Sequence, residues 1–68
     1  MKMIPVSSSN IASVGYEGST LFIDFHSGST YAYYNVPVTV YNALMSASSH
    51  GKYHSQHIKY AFPYQRIR

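Results

Sequence analysis

The chain has 68 residues, a formal net charge of +3 and no cysteine, which excludes a second domain, structural disulfides and a thiolate metal site. Charged residues make up 10% and aromatic residues 16%, with eight tyrosines, against roughly 25% charged residues in ordinary soluble domains. A domain of this size buries only about 60% of the surface that its unfolded chain exposes. We therefore expect a homo-oligomer or an occupied binding face to cover part of the aromatic surface.

The chain carries no recognisable targeting signal. Residues 1–8 include one basic residue, Lys2, but no apolar stretch of the kind found in signal peptides. No apolar run approaches the ~20 residues that a membrane-spanning helix needs. The sequence therefore predicts a cytoplasmic protein with no membrane partner.

Short β-type runs follow an extended lead-in over residues 1–8. The run 11–16 is the weakest, and its Gly15 indicates a bulge or a strand end. The run 20–25 is β-branched and aromatic, and the run 29–35 carries alternating tyrosines. Turn signals separate the runs, so the sequence predicts an α+β fold built on a three-stranded antiparallel meander.

The loop between the second and third runs determines which tyrosines face the core. With Gly28 as the left-handed residue of a three-residue hairpin loop, Ile23 faces Tyr31 and Leu21 faces Tyr33. A four-residue loop would shift the pairing by one residue and turn both tyrosines to the other sheet face. We favour the first register because it separates the acidic residue of the strand from the apolar side.

One or two short helices are predicted after the meander. Pro37 marks a helix start, with an apolar stripe over residues 38–47. Ser49 is positioned to cap a second helix over residues 51–58. Both helices are expected to pack on one sheet face, and residues 60–68 to form an extended C-terminal arm. The residues assigned to the core are Leu21, Ile23, Phe25, Tyr31, Tyr33, Val40, Tyr41 and Leu44.

Tyr31 and Tyr33 allow a second interpretation, because aromatic side chains on a sheet can stack on the bases of single-stranded nucleic acid. The favoured register places both rings beside Leu21 and Ile23, under the first helix. We therefore interpret both tyrosines as core residues whose hydroxyls reach polar groups at the helix margin.

The sequence offers few groups for catalysis or metal binding. Glu17 and Asp24 are the only acidic residues and are not paired in sequence, so we expect no enzyme activity. His50, His54 and His57 have a spacing that would place three imidazoles on one side of a helix. No acidic residue lies nearby to orient these rings, so we predict neither a metal site nor a cofactor.

Basic residues concentrate near the C-terminus. Apart from Lys2, every lysine and arginine and three of the four histidines lie after residue 49, which favours an anionic partner. Ser49, Gly51 and Lys52 combine a helix cap, room for close approach and a positive charge, which suits a phosphate. The candidate binding residues are Ser49, Gly51, Lys52, Tyr53, His54, His57, Lys59, Arg66 and Arg68.

An ordered set of motifs resembles a known family. Residues 25–37 carry Ser-Gly, Tyr-x-Tyr and Val-Pro, residues 41–53 end in Ser-x-Gly-x-Tyr, and Ile58-Lys59 follows. This set resembles the KTSC domain, named for the C-terminus of some lysyl-tRNA synthetases and also found as free-standing small proteins in bacteria and phages. Ser55 departs from the asparagine of many members, so a polar role for that side chain does not carry over.

The resemblance covers residues 8 to about 64 of the single domain predicted over residues 1–68, and it suggests RNA binding. With the basic C-terminal third, it predicts a non-enzymatic binding module for a phosphate-bearing ligand, with RNA as the first choice. Two alternatives stay open. One is a small, oligomeric, phage-type sponge that sequesters a nucleotide signal, and the other is a structural homo-oligomer or protein adaptor.

Overall fold

The computed structural model describes residues 1–68 as one antiparallel sheet and two α-helices. The five strands are β1 (Ile4–Pro5), β2 (Ile11–Glu17), β3 (Thr20–Phe25), β4 (Thr30–Tyr33) and β5 (Tyr64–Arg66). The helices α1 (Val38–Ser46) and α2 (His50–His57) lie between β4 and β5 in the chain. The strand order in the sheet follows the sequence, so the predicted α+β class and antiparallel meander are confirmed.

The β3–β4 hairpin has the predicted register. Ile23 pairs with Tyr31, and Leu21 pairs with Tyr33. In the connecting loop Gly28 has a φ of 99°, a conformation that side chains disfavour and glycine permits. Gly28 therefore helps to set the loop length, and the loop length determines that both tyrosines face the helices.

The prediction of three strands was wrong, because both ends of the chain extend the sheet. In the expected lead-in over residues 1–8, Ile4–Pro5 pairs with β2. In the expected arm over residues 60–68, Tyr64–Arg66 pairs with β4. Pro63 does not end the sheet, because proline lacks only the backbone donor and its carbonyl still accepts a hydrogen bond from the β4 side at 2.8 Å.

The core lies between the helices and one face of the sheet. Leu21, Ile23, Tyr33 and Leu44, all expected there, are buried. The other four expected core residues are only partly buried and pack around it: Phe25, Tyr31, Val40 and Tyr41. The core also contains four buried residues that the sequence analysis did not assign: Ile11, Val14, Val36 and Ile58.

An irregularity in β2 adds Ile11 to this core. The pairing between β2 and β3 shifts between Ile11 and Ser13. Because side chains alternate along a strand, the shift brings Ile11 onto the same sheet face as Val14.

Gly15 does not form this irregularity. A Cβ at this position would lie 2.5 Å from Sδ of Met3, so glycine allows the N-terminal segment to approach the sheet.

Each helix begins at a capping residue. Pro37 precedes α1 as its N-cap. Ser49 caps α2, and its hydroxyl accepts a hydrogen bond from the Lys52 N–H at 3.2 Å, so α2 starts at His50, one residue earlier than predicted. The His50 ring holds the end of α1, since Nδ1 lies 2.8 Å from the Leu44 carbonyl. No helix has the length and hydropathy of a membrane span.

A polar network lies on the sheet face opposite the helices. The Asp24 carboxylate accepts hydrogen bonds from the hydroxyls of Ser13, at 3.0 Å, and Thr30. The Arg68 guanidinium lies 3.6 Å from the same carboxylate. These contacts attach the C-terminal residue to β3 and place it on the side of the sheet away from α2.

The burial of Ile58, the residue that follows α2, leads to a first prediction. Ile58→Ala should lower the free energy of unfolding by roughly 2–5 kcal/mol, because it leaves a cavity in the core. The matched control is Ile67→Ala, whose side chain is 49% exposed and should cost less than about 1 kcal/mol. Urea denaturation of both variants measures the difference, and equal midpoints would contradict this packing of α2.

Candidate functional site

A cleft of about 390 Å³ lies between the β3–β4 hairpin, α2 and β5. We call it the aromatic cleft. Its aromatic lining consists of Phe25, Tyr31, Tyr33, Tyr60 and Tyr64. Its polar lining consists of Asn10, Ser27, Ser29, His54, Ser55 and Lys59.

Tyr31 is central to the aromatic lining. Its ring centroid lies 5.8 Å from that of Phe25, 6.3 Å from that of Tyr33 and 6.0 Å from that of Tyr64. Ring pairs at these separations attract one another beyond simple area burial. Tyr31 is therefore a wall of the cleft as well as a packing residue, which corrects its assignment to the core alone.

Tyr33 and His54 form a buried polar pair at the base of the cleft. Tyr33 is 3% exposed and His54 is 5% exposed, and the Tyr33 hydroxyl lies 2.7 Å from His54 Nε2. Burial raises the pKa of Tyr33 to about 12, and Tyr31 and Tyr64 add to the shift. Burial lowers the pKa of His54, and the charge of Lys59 lowers it further. Both groups are therefore neutral at neutral pH.

This burial corrects the expectation that His54 belongs to an exposed basic surface. The three histidines of α2 occupy different surroundings: the His50 ring contacts the end of α1, His54 is buried and His57 is exposed. The His57 ring packs against Tyr53 with centroids 4.6 Å apart. No three side chains that could hold a metal ion lie together in the structure.

The predicted phosphate-binding residues line a second depression, beside the aromatic cleft. Ser49, Gly51 and Lys52 lie here with Ser48 and the serine-rich segment 7–10, in a space of about 520 Å³ with no hydrophobic lining. We call it the serine depression. Asn10 and Ser55, which also line the aromatic cleft, make the two spaces contiguous.

Gly51 has a structural reason to be glycine. A Cβ on Gly51 would overlap the side chain of Asn10, so glycine allows the segment before β2 to pack on α2. The expectation was that Gly51 leaves room for the close approach of a ligand. The structure places another part of the chain there.

The remaining predicted residues do not form one surface. Lys52 and Lys59 lie at the serine depression and the aromatic cleft, respectively. Arg68 contacts Asp24 on the opposite sheet face, and its carbonyl accepts a hydrogen bond from Arg66 Nε at 3.2 Å. The basic C-terminal third is divided because β5 returns the chain along the edge of the sheet.

Several cleft residues were missed by sequence reasoning as binding residues: Asn10, Ser27, Ser29, Tyr31, Tyr60 and Tyr64. Tyr64 joins the cleft because it pairs with Tyr33 across the β4–β5 ladder. Nothing local in the sequence signals that pairing. Tyr31 did carry a signal, since stacking on bases was the rejected alternative.

Comparison with known proteins identifies the family. The KTSC domain family model matches residues 7–62. The chain belongs to the KTSC domain family. The crystal structure of a KTSC domain protein from Yersinia pestis matches with a TM-score of 0.91 and 38% identity, covering 98% of this chain and 97% of that chain. The resemblance that the motifs indicated is therefore confirmed.

KTSC relatives include both large and small proteins. A lysine–tRNA ligase from Trichormus variabilis is 43% identical over 54 residues, which are 76% of this chain and 10% of that protein. An uncharacterized protein from Stutzerimonas stutzeri is 39% identical over 61 residues, which are 87% of this chain and 86% of that protein. This chain thus spans about a tenth of the ligase and most of the small relative.

The buried imidazole of His54 predicts that low pH destabilises this domain. In the unfolded chain His54 titrates near 6.5, and in the folded chain its pKa is lower. Below about pH 6.5 the unfolded state binds more protons than the folded state. The contribution of the neutral His54 to the free energy of unfolding is therefore complete above about pH 6.5, and it decreases as the pH falls toward the folded pKa. Urea midpoints at about pH 7.5 and about pH 5 should show the loss.

His54→Gln should reduce this acid sensitivity, because it removes the titrating group. His57→Gln, the same substitution at an exposed site on the same helix, should retain it. An equal decrease in midpoint for wild type and His54→Gln would contradict the assignment.

Proposed function

We propose that this KTSC domain is a non-enzymatic module that binds single-stranded RNA and holds a base in the aromatic cleft. The observation that carries the proposal is the set of tyrosine rings at the cleft, of which Tyr64 is 54% exposed and Tyr60 is 83% exposed. Base–aromatic stacking contributes about 1–3 kcal/mol per base and tolerates any base. Tyr31, which is in edge-to-face contact with Phe25, supplies a further ring.

The charges around the cleft support an anionic ligand. Lys59 lines the cleft, and its Nζ lies 5.4 Å from the Tyr60 ring centroid. Neither of the two acidic residues lines the cleft or the serine depression, and the net charge is +3. A phosphate near Lys59 therefore encounters attraction with no carboxylate close by to oppose it.

The serine depression supports a strand rather than an isolated base. Because Asn10 and Ser55 line both spaces, a strand with one base in the aromatic cleft can continue along the depression. Lys52 would attract its phosphate there, and the serine hydroxyls offer donors and acceptors to phosphate oxygens and ribose hydroxyls.

The relatives support RNA over other phosphate-bearing ligands. Two of them are lysine–tRNA ligases, proteins named for tRNA. A domain carried by such enzymes has an RNA as a ready ligand, and the aromatic cleft is compatible with an unpaired nucleotide.

A free nucleotide is the second candidate, favoured by the size of the cleft. Its volume of about 390 Å³ lies within the range of about 300–1,000 Å³ found for small-molecule sites. In this case the chain would sequester a nucleotide, and the expected homo-oligomer would be part of the mechanism. Native mass spectrometry of the purified protein would report bound nucleotide and subunit number together.

Binding of a fluorescent, unstructured oligouridylate tests the RNA proposal. Tyr64→Ala should weaken binding by roughly 5- to 150-fold, the equivalent of about 1–3 kcal/mol of lost stacking. The matched control, Tyr34→Ala, removes a tyrosine whose hydroxyl contacts Gln65 outside the cleft and should bind like wild type. The affinity should also fall as salt is raised, since bound phosphates release counterions.

Two outcomes would contradict the proposal. One is the absence of binding to the oligonucleotide at low salt. The other is equal affinity of the Tyr64 and Tyr34 variants, which would place the ligand elsewhere on the surface. Uridine monophosphate binding as tightly as the oligonucleotide would favour the nucleotide candidate instead.

A further inference from the structure

The imidazole of His54 has one ring nitrogen without a partner in the protein. Nε2 faces the Tyr33 hydroxyl at 2.7 Å, and Nδ1 makes no hydrogen bond. No fully buried side-chain nitrogen or oxygen lacks a partner in this structure, so Nδ1 retains contact with solvent. His54 is only 5% exposed, and of the four pockets in the structure it lines the aromatic cleft alone.

The partner on Nε2 determines which nitrogen carries the proton. The Tyr33 hydroxyl is buried, and His54 Nε2 is the acceptor within reach of its proton. If Nε2 were protonated, the hydroxyl proton would have no acceptor, at a cost of about 1–3 kcal/mol for a buried donor. The Tyr33 hydroxyl therefore donates to Nε2, and the neutral ring carries its proton on Nδ1.

We propose that the Nδ1–H of His54 is a fixed hydrogen-bond donor at the base of the aromatic cleft, and that it binds an acceptor on the edge of the seated base. The acceptor is a ring carbonyl oxygen or an unprotonated ring nitrogen. Tyr33 is the positioning residue for this donor, because its hydroxyl sets the tautomer. The inference rests on the proposed function, since it takes the seated group to be a nucleobase.

The donor gives the cleft a chemical preference that stacking alone lacks. Tyrosine rings accept any flat group, including the phenyl ring of a peptide. A ring without an edge acceptor would displace the solvent from Nδ1–H and leave this donor without a hydrogen bond. The lost hydrogen bond disfavours such a ring at this site. The ligand class is therefore a heteroaromatic base that bears such an acceptor.

Nitrogen NMR of the ligand-free protein tests the tautomer directly. The expected spectrum shows His54 with a protonated Nδ1 and an unprotonated Nε2. Tyr33→Phe should shift the ring toward the other tautomer, because Nε2 has then lost its donor. A protonated Nε2 in the wild-type protein would overturn the inference. This measurement uses no ligand, so its failure leaves the proposed function intact.

Oligouridylate binding tests recognition by the same donor. His54→Gln keeps an amide that can pair with the Tyr33 hydroxyl but removes Nδ1–H, and should weaken binding by roughly 3- to 10-fold, as for one neutral hydrogen bond. His57→Gln, on the same helix but outside both the cleft and the serine depression, should bind like wild type. Unchanged binding by a folded His54→Gln would overturn the inference alone, whereas no binding by wild type would overturn the proposed function as well.

If His54→Gln does not fold, titration of the wild-type protein decides. The Nδ1–H resonance of His54 should move as oligouridylate is added, because the proton exchanges solvent for a base acceptor. Oligonucleotide binding that leaves this resonance unmoved would overturn the inference.

Discussion

The hydrogen bond between the Tyr33 hydroxyl and His54 Nε2 connects β4 to α2 across residues that are 21 positions apart. Both side chains are almost fully buried, and the Tyr33 hydroxyl and His54 Nε2 satisfy each other. Removing either partner would leave the other unsatisfied, at a cost of about 1–3 kcal/mol. In a domain this small, such a cost is a substantial fraction of the total stability. Together with the buried Ile58, this contact holds α2 against the sheet and forms the base of the aromatic cleft.

The same contact explains how a chain so poor in charge can present a polar site. His54 and Tyr33 are both neutral, so they can be buried among apolar rings at the base of the cleft without a counter-ion. Phe25 packs edge-on against His54, with centroids 5.4 Å apart. Lys59 is the lysine that lines the cleft, and its side chain is exposed and remains hydrated. The cleft thus joins flat apolar walls, one neutral donor and a peripheral cation, the three features that recognition of an unpaired nucleotide uses.

The parts of the fold predicted from sequence are those with a local signal. Gly28 allows a three-residue loop, and this loop fixes the β3–β4 register and the inward orientation of Tyr33. β1 and β5 have two and three residues, too few for a periodic pattern, and are strands only because a neighbour pairs with them. His54 was grouped with the candidate binding surface because basic residues cluster after residue 49, and α2 has no apolar stripe that marks its inner face. Its burial depends on Tyr33, which is remote in sequence, so no local rule reveals the cleft.

Mapping of backbone amide shifts on addition of an unlabelled oligouridylate tests the central claim, that the aromatic cleft between β4, β5 and α2 is the ligand site. The largest changes should cluster at Tyr31, His54, Lys59 and Tyr64, with smaller ones reaching Asn10 and the serine depression. Changes centred on Phe22 and Arg68, on the opposite face of the sheet, would contradict it.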